Sequence, residues 1–264
     1  MSFLRMAQTV FALMLSLILF AHSALAMPNE DLRPYNFYVK RNTEHKQPTL
    51  DCHQGKLDDH NAIYVDGRYG DEAAEKVLYL TFDAGYENGN VERILDVLCE
   101  EKAPAAFFVL KNIVTKHPHL IKRMANEGHL VCNHTMTHPD TTTLSDEQFK
   151  AEVVGLAELC LAKTGVTVAP YYRPPEGRYN EKTLRLASEL GYRTVFWSFA
   201  YADWDNDKQP EADAAMKKIL DNIHNGEILL LHPTSATNAD ILPNLIRTLR
   251  SEGYRLASLD ELPA

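Results

Sequence analysis

The chain has 264 residues, of which 45% are hydrophobic and 24% charged, and it carries a formal charge of −9. That length and apolar content suffice for one globular domain of α/β size or two small ones, with a large core. The acidic balance excludes nucleic acid as a natural partner, since its phosphates would be repelled.

Residues 1–26 stand apart. Arg5 is their only charge, Val10 to Phe20 is apolar, and Ala24-Leu25-Ala26 has the small-x-small pattern of a signal-peptidase site. The apolar run is short for a bilayer span, so the expectation is a cleaved signal and an exported protein with no permanent membrane span. An uncleaved anchor is the alternative. Export permits disulfides, yet Cys52, Cys99, Cys132 and Cys160 contain no C-x-x-C, and a core this large needs no staple. Cys99, Cys132 and Cys160 lie in apolar runs and are expected to be buried thiols.

Residues 27–75 are polar and proline-punctuated, and are expected to form an N-terminal extension packed on the main domain. Ala62-Ile-Tyr-Val65 meeting Asp66-Gly67 predicts one hairpin there. From Val77 onward the pattern alternates. Strands are predicted at 77–82, 105–109, 129–132, 170–173, 194–198, 227–231 and 254–258. Helices are predicted at 90–101, 116–127, 145–163, 180–190, 212–223 and 239–252. Gly128, Gly165, Gly191, Gly226 and Gly253 mark helix ends, and Ser145 with Gln148 forms a capping-box pattern. Six β-to-α-to-β passages in succession imply an α/β fold with a parallel sheet, and seven strands suggest one curled into a distorted (β/α) barrel within residues 76–264.

Catalytic groups of such folds gather at the carboxyl ends of the strands. Asp83 ends the first strand, where Gly85, Asn88 and Gly89 force a turn. His134 and His138 follow the third, Arg173 ends the fourth, Asp203-Trp204 follows the fifth and His232 ends the sixth. Each has an ordinary reading as a solvated strand-end residue; it is their repetition at so many strand ends that packing does not require.

Two imidazoles at His134 and His138 would share one face of a helical turn, a spacing that suits a metal. His-x3-His alone is a weak signal, strengthened by Asp83 on a nearby strand end. Tyr171-Tyr-Arg173-Pro-Pro-Glu-Gly177 is a rigid turn whose arginine could hold a carboxylate in a bidentate pair. A partly buried His232 beside a carboxylate would be poised for proton transfer. Glu87 is expected to be solvated; His22, His45, His53 and His60 are given no role.

At this point the motifs resemble a family. T-F-D-x-G, H-T-x-x-H-P, R-P-P-x-G, a D-W pair and L-x-H occur in the order and spacing of the polysaccharide deacetylases, carbohydrate esterase family 4, over about residues 75–258. The Gly-Tyr-Glu-Asn-Gly continuation after Asp83 and Val195-Phe-Trp-Ser198 look most like the branch that deacetylates muramic acid and forms the δ-lactam of spore cortex. The resemblance implies that Asp83 is the general base, Arg173 the residue that holds it, and His134 and His138 metal ligands. It also implies that His232 is the general acid and Asp203 its orienting carboxylate. Trp204, Leu230 and Pro174 would line the substrate pocket, and the Glu176 backbone N–H would face the oxyanion. One position departs: the family's second Asp, its third metal ligand, is Ala84 here, as in the muramic acid branch. Zinc or another divalent ion is therefore implied, with a weakened ligand set.

The reading is an exported, monomeric hydrolase that removes acetyl groups from peptidoglycan glycan strands, N-acetylmuramic acid first among them. The alternatives are a deacetylase of chitin oligosaccharides, an acetyl-xylan esterase, and a wall-glycan-binding protein with a degenerate site.

Overall fold

The computed structural model describes residues 30–42, 44–51 and 57–263; the signal expected over 1–26, Cys52 and His53 lie outside the described residues. Its central strand, β2 (Lys76–Ala84), is a run of β-formers in which Val77 through Phe82 are buried. A strand without a polar face is stable only between two covering layers. β3 (Ala106–Val109) and β9 (Glu227–Leu231) pair with it in parallel on opposite edges. Beyond β3 lie β4 (Leu130–Asn133), β5 (Tyr171–Tyr172) and β7 (Arg193–Thr194), and beyond β9 lies β8 (Phe199–Ala200). β10 (Tyr254–Leu256) pairs in parallel with the start of β2. A separate antiparallel pair joins β1 (Tyr35–Asn36) to β6 (Arg178–Tyr179).

Seven α-helices are present among the described residues: α1 (Asn90–Glu101), α2 (Lys111–Lys116), α3 (Pro118–Asn126), α4 (Asp146–Thr164), α5 (Glu181–Glu189), α6 (Ala212–Leu220) and α7 (Ala236–Ser251). The expected capping box opens α4, where Ser145 Oγ accepts from Gln148 N–H and Gln148 Oε1 accepts from Ser145 N–H. α2 was not expected, because six residues are too few to show a helical period.

The α/β fold is the curled parallel sheet that the alternation implies, with one difference. The single strand predicted at 194–198 is divided. Only Thr194 lies in β7, which pairs with β5; Val195 to Ser198 cross the opening, and the chain joins β9 as β8 only from Phe199. The two outer edges of the sheet are thus joined by four residues, which span at most about 18 Å from Thr194 to Phe199. So short a link forces the sheet to roll into an incomplete barrel.

Alternation along β2 sorts its side chains. Leu78, Leu80 and Phe82 pack under the helices with Phe107, Val131 and Leu229. Val77 and Tyr79 face inward with Ala106, Phe108, Cys132 and Ile228. The inward series 77, 79, 81 continues to residue 83, so the barrel interior turns from apolar to polar as it reaches the carboxyl-end rim.

Two expectations are corrected. Ala62–Val65 forms no hairpin: Ile63 bridges Val195 in parallel and Val65 bridges Glu227, while Asp66 caps the short 3-10 turn Gly67–Tyr69. Non-local edges of the sheet outbid the local turn. Cys99 is exposed rather than buried, because Val91, Ile94, Leu95 and Leu98 occupy the inward stripe of α1; Cys132 and Cys160 are buried as expected.

Candidate active site

Asp83 emerges on the interior face at the end of β2. Thr81 is in register with Leu230, so continuing both strands sets Asp83 beside His232 on neighbouring strands roughly 5 Å apart. The strand ends thus bring together residues 149 positions apart.

Arg173 is fully buried directly after β5. It donates from Nη1 to Asp83 Oδ1 (2.8 Å), from Nη2 to Thr81 Oγ1 (3.0 Å) and Phe196 O (3.0 Å), and from Nε to Val195 O (3.0 Å). Its guanidinium also lies 4.1 Å from the Phe108 ring centroid. The bidentate pair expected with Asp83 is not formed, because the second arm of the fork serves Thr81 and Phe196. That leaves Asp83 Oδ2 free on the side of His134 Nε2, at 3.6 Å. Burial is the largest influence and by itself would raise the Asp83 pKa, but the charge and hydrogen bond of Arg173, together with His134 and His232, outweigh it and hold the carboxyl below its usual range.

His134 Nδ1 donates to Arg173 O (2.8 Å), which fixes the tautomer and leaves the Nε2 lone pair toward the site. Burial pushes its pKa down to about 4, so it is neutral at neutral pH. The His138 ring lies 5.0 Å from it, centroid to centroid. The helical turn expected to unite them is absent. Instead Thr135 (φ 73°) and His138 (φ 61°) adopt left-handed backbone, and Thr135 Oγ1 accepts the His138 N–H at 3.0 Å.

On the other side, buried Asp203 accepts from His232 Nδ1 at Oδ1 (2.7 Å) and from His232 N–H at Oδ2 (2.8 Å). Burial opposes charge on the imidazole, yet the Asp203 hydrogen bond and the Asp203 and Asp83 charges prevail, so the His232 pKa is raised. Its Nδ1–H is committed to Asp203, which leaves Nε2 to face the site. Trp204 is 60% exposed, with its ring edge-on to His232 at 6.0 Å. Leu230 and Pro174 are buried in the floor and in the Arg173 loop.

Pro174 and Pro175 carry no N–H, and the Gly177 N–H donates to Pro174 O at 3.0 Å. The Glu176 amide is therefore the loop's remaining donor, and its backbone is left-handed (φ 57°, ψ 9°) with the side chain exposed. Glu87 corrects another expectation: it is half-buried, and its carboxylate caps the Gly89 N–H ahead of α1.

The donors at His134 and His138 are two imidazoles with one carboxylate oxygen nearby. The Ala84 methyl is fully buried in the helix-side cluster, on the face of β2 opposite Asp83. Among the described residues no three His, Cys, Asp or Glu side chains gather tightly enough to enclose an ion. The set fits an open site that draws the rest of its shell from solvent or substrate, and not a closed structural one.

Sequence reading missed Thr81, Tyr201, Gln209 and Asn238, which support the site from behind. Alternation along β2 could have identified Thr81; the other three carry no motif.

A family model described as polysaccharide deacetylase matches residues 70–195. The peptidoglycan-N-acetylmuramic acid deacetylase PdaA of Bacillus subtilis (strain 168) is 38% identical over 243 residues, covering 92% of this chain and 89% of that one. A chitooligosaccharide deacetylase of Bradyrhizobium sp. (strain ANU 289) is 33% identical, covering 74% of this chain and 94% of that one. The structure of B. subtilis PdaA, a family 4 carbohydrate esterase, superposes with a TM-score of 0.80 at 37% identity over 88% of this chain and 97% of that one. The chain belongs to the polysaccharide deacetylase family.

Proposed function

We propose that the protein is an exported de-N-acetylase of peptidoglycan glycan strands that acts on N-acetylmuramic acid. The observation that carries the reading is the pairing of two oppositely tuned groups on adjacent strand ends. Arg173 favours the ionised form of Asp83, and Asp203 favours the protonated form of His232. Amide hydrolysis needs both states at once.

Asp83 takes a proton from water as the water oxygen attacks the acetamide carbonyl carbon. The Glu176 N–H donates to the oxyanion that forms. His232 Nε2–H passes its proton to the departing nitrogen as the C–N bond breaks, which leaves acetate and a free amine. Trp204, Leu230 and Pro174 wall the acetyl group. His134 and His138 would hold a divalent ion, which when bound supplies Lewis acidity to the carbonyl. Proton transfers of this kind contribute about 10²- to 10⁴-fold each, and an oxyanion donor about 10²- to 10³-fold.

Muramic acid is favoured over other sugars by the N-acetylmuramic acid deacetylase of B. subtilis, a relative matched over 92% of this chain and 89% of its own. Acetate release from peptide-bearing peptidoglycan, peptide-stripped glycan strands and chitin oligomers tests the choice, with metals added singly. Asp83→Asn and His232→Ala should each nearly abolish release from the preferred substrate without unfolding the chain. Full activity in either variant would falsify the assigned roles, and glycan binding without acetate under any metal would favour a degenerate binding protein.

A further inference from the structure

The acid half of the site is held from behind by a buried side chain that no motif marks. Asn238 lies in the first turn of α7 and is 1% exposed. Its Nδ2 approaches Asp203 Oδ2 at 2.6 Å and the His232 carbonyl at 3.1 Å, while Tyr201 OH meets its Oδ1. An ionised carboxylate and a carbonyl only accept, so the amide must present its NH2 to both, and its oxygen is left for the tyrosine hydroxyl. The orientation of Asn238 is therefore determined by its neighbours. Its backbone is fixed as well, because its N–H donates to Ser235 Oγ (3.0 Å), the N-cap of α7.

We propose that Asn238, locked by Tyr201, is a positioning residue that fixes the rotamer of Asp203 and through it the tautomer and aim of His232. The inference rests on the reading of His232 as the general acid. Asp203 follows β8 in irregular chain, where nothing in regular structure would restrain its side chain. Of the two bonds that His232 makes to the Asp203 carboxylate, one comes from the ring that is to be oriented and one from the backbone N–H after β9. Asn238 adds a side-chain anchor from α7 on the same Oδ2. Gln209 adds a second one on the backbone, donating from Nε2 to Asp203 O at 2.8 Å. Tyr201 and Asp203 come from one stretch of chain and His232 and Asn238 from another, and the Asn238 amide is the one group that bonds to all of the other three.

Asn238→Ala removes the anchor, and Tyr201→Phe removes the one partner of the amide oxygen and loosens the amide. Both are read on the full chain by nitrogen-15 NMR titration of the His232 ring, with no substrate needed, and by kcat and KM for acetate release against pH. The parent ring should stay as the single Nδ1–H tautomer when neutral. In Asn238→Ala the tautomers should mix and the ring titration fall by about one pH unit, as expected when a charge-assisted hydrogen bond loosens. Asp83 and Arg173 also act on this ring, and neither variant alters them. kcat should drop about tenfold to a hundredfold, the scale of a misaimed catalytic group, with KM within about twofold. Tyr201→Phe should move every readout in the same direction by less. Ring titration and tautomer identical to the parent in both variants would overturn the inference, as would a kcat loss that only follows a falling Tm. If the ring responds as described while the parent releases no acetate from any N-acetylated glycan, the positioning role stands and the deacetylase reading fails.

Discussion

Arg173→Met separates the two services that the buried guanidinium performs. Methionine fills comparable volume without charge, so Asp83 is left as an uncompensated carboxylate in an almost dry site. Stranding one partner of a buried pair costs about 3–5 kcal/mol, a large fraction of the about 5–15 kcal/mol that a domain has in total. For a chain of this size that lowers Tm by on the order of 10 °C near neutral pH. The sign follows from Asp83. Its folded pKa is depressed in the parent, so its stabilisation is complete above the unfolded value of about 3.9 and is lost as pH falls through the folded pKa. In the methionine variant the folded pKa is instead raised by burial. The Tm gap between variant and parent should therefore be small near pH 3 and widen toward pH 7, as measured by calorimetric scans. The acid limb of kcat/KM should move up with it, since the base must be ionised. Arg173→Lys is the control that keeps the charge. One ammonium cannot reach Asp83, Thr81, Val195 O and Phe196 O together, so activity should fall while the acid limb stays low. A Tm gap independent of pH, with an unmoved acid limb in Arg173→Met, would refute the reasoning.

The remaining predictions are simpler. The raised His232 pKa places the alkaline limb above the ordinary imidazole value, with activity present below it and lost as pH rises through it. Asp203→Asn should bring that limb down, and a limb that stays put in a pH–rate profile would remove Asp203 from its role. Glu176→Gly should keep activity within about threefold, because the left-handed amide is what acts and glycine adopts that backbone freely; a hundredfold loss would transfer the role to the carboxylate. Gly226→Ala should lose about 2 kcal/mol or more in denaturant melts, since φ is 72° and an added Cβ would collide with the Asp66 carbonyl oxygen. Wild-type stability in that variant would mean the 62–69 segment is not held against β9.

Asp83 was legible because a strand buried on both faces must stop where it meets a charge, and the glycines after it leave no other place for the turn. Period-two alternation then implies that Asp83 shares a face with Thr81, and the same rule puts His232 with Leu230. The capping box of α4 was readable because it is local. What could not be read depends on partners far along the chain. The spacing of His134 and His138 suggests a helix, yet two left-handed residues unite the rings, and no propensity favours that backbone for threonine. Asn238 meets Asp203 across 35 positions through a single amide. Ala84 was visible as a missing carboxylate, but only packing shows its methyl among the helix-side apolar groups, facing away from the histidines.

The failed strand at 194–198 explains more than any success. Its residues are apolar and β-forming, and its amides do pair: Val195 N–H with Tyr172 O, Phe196 N–H with Ile63 O, Ser198 N–H with Ile228 O. Each partner belongs to a different element, so the segment climbs across the barrel opening instead of extending one edge. In doing so it turns the carbonyls of Val195 and Phe196 inward, and these are the acceptors for Arg173. A regular strand would have used those carbonyls in a ladder and left the fully buried guanidinium with two unmet donors. The link that closes the sheet is thus also the wall that holds the arginine, and the arginine holds the base. Barrel closure and the ionisation of Asp83 are therefore coupled, so a change that straightened 195–198 into a continuous strand would disable the site without altering Asp83 or Arg173 themselves.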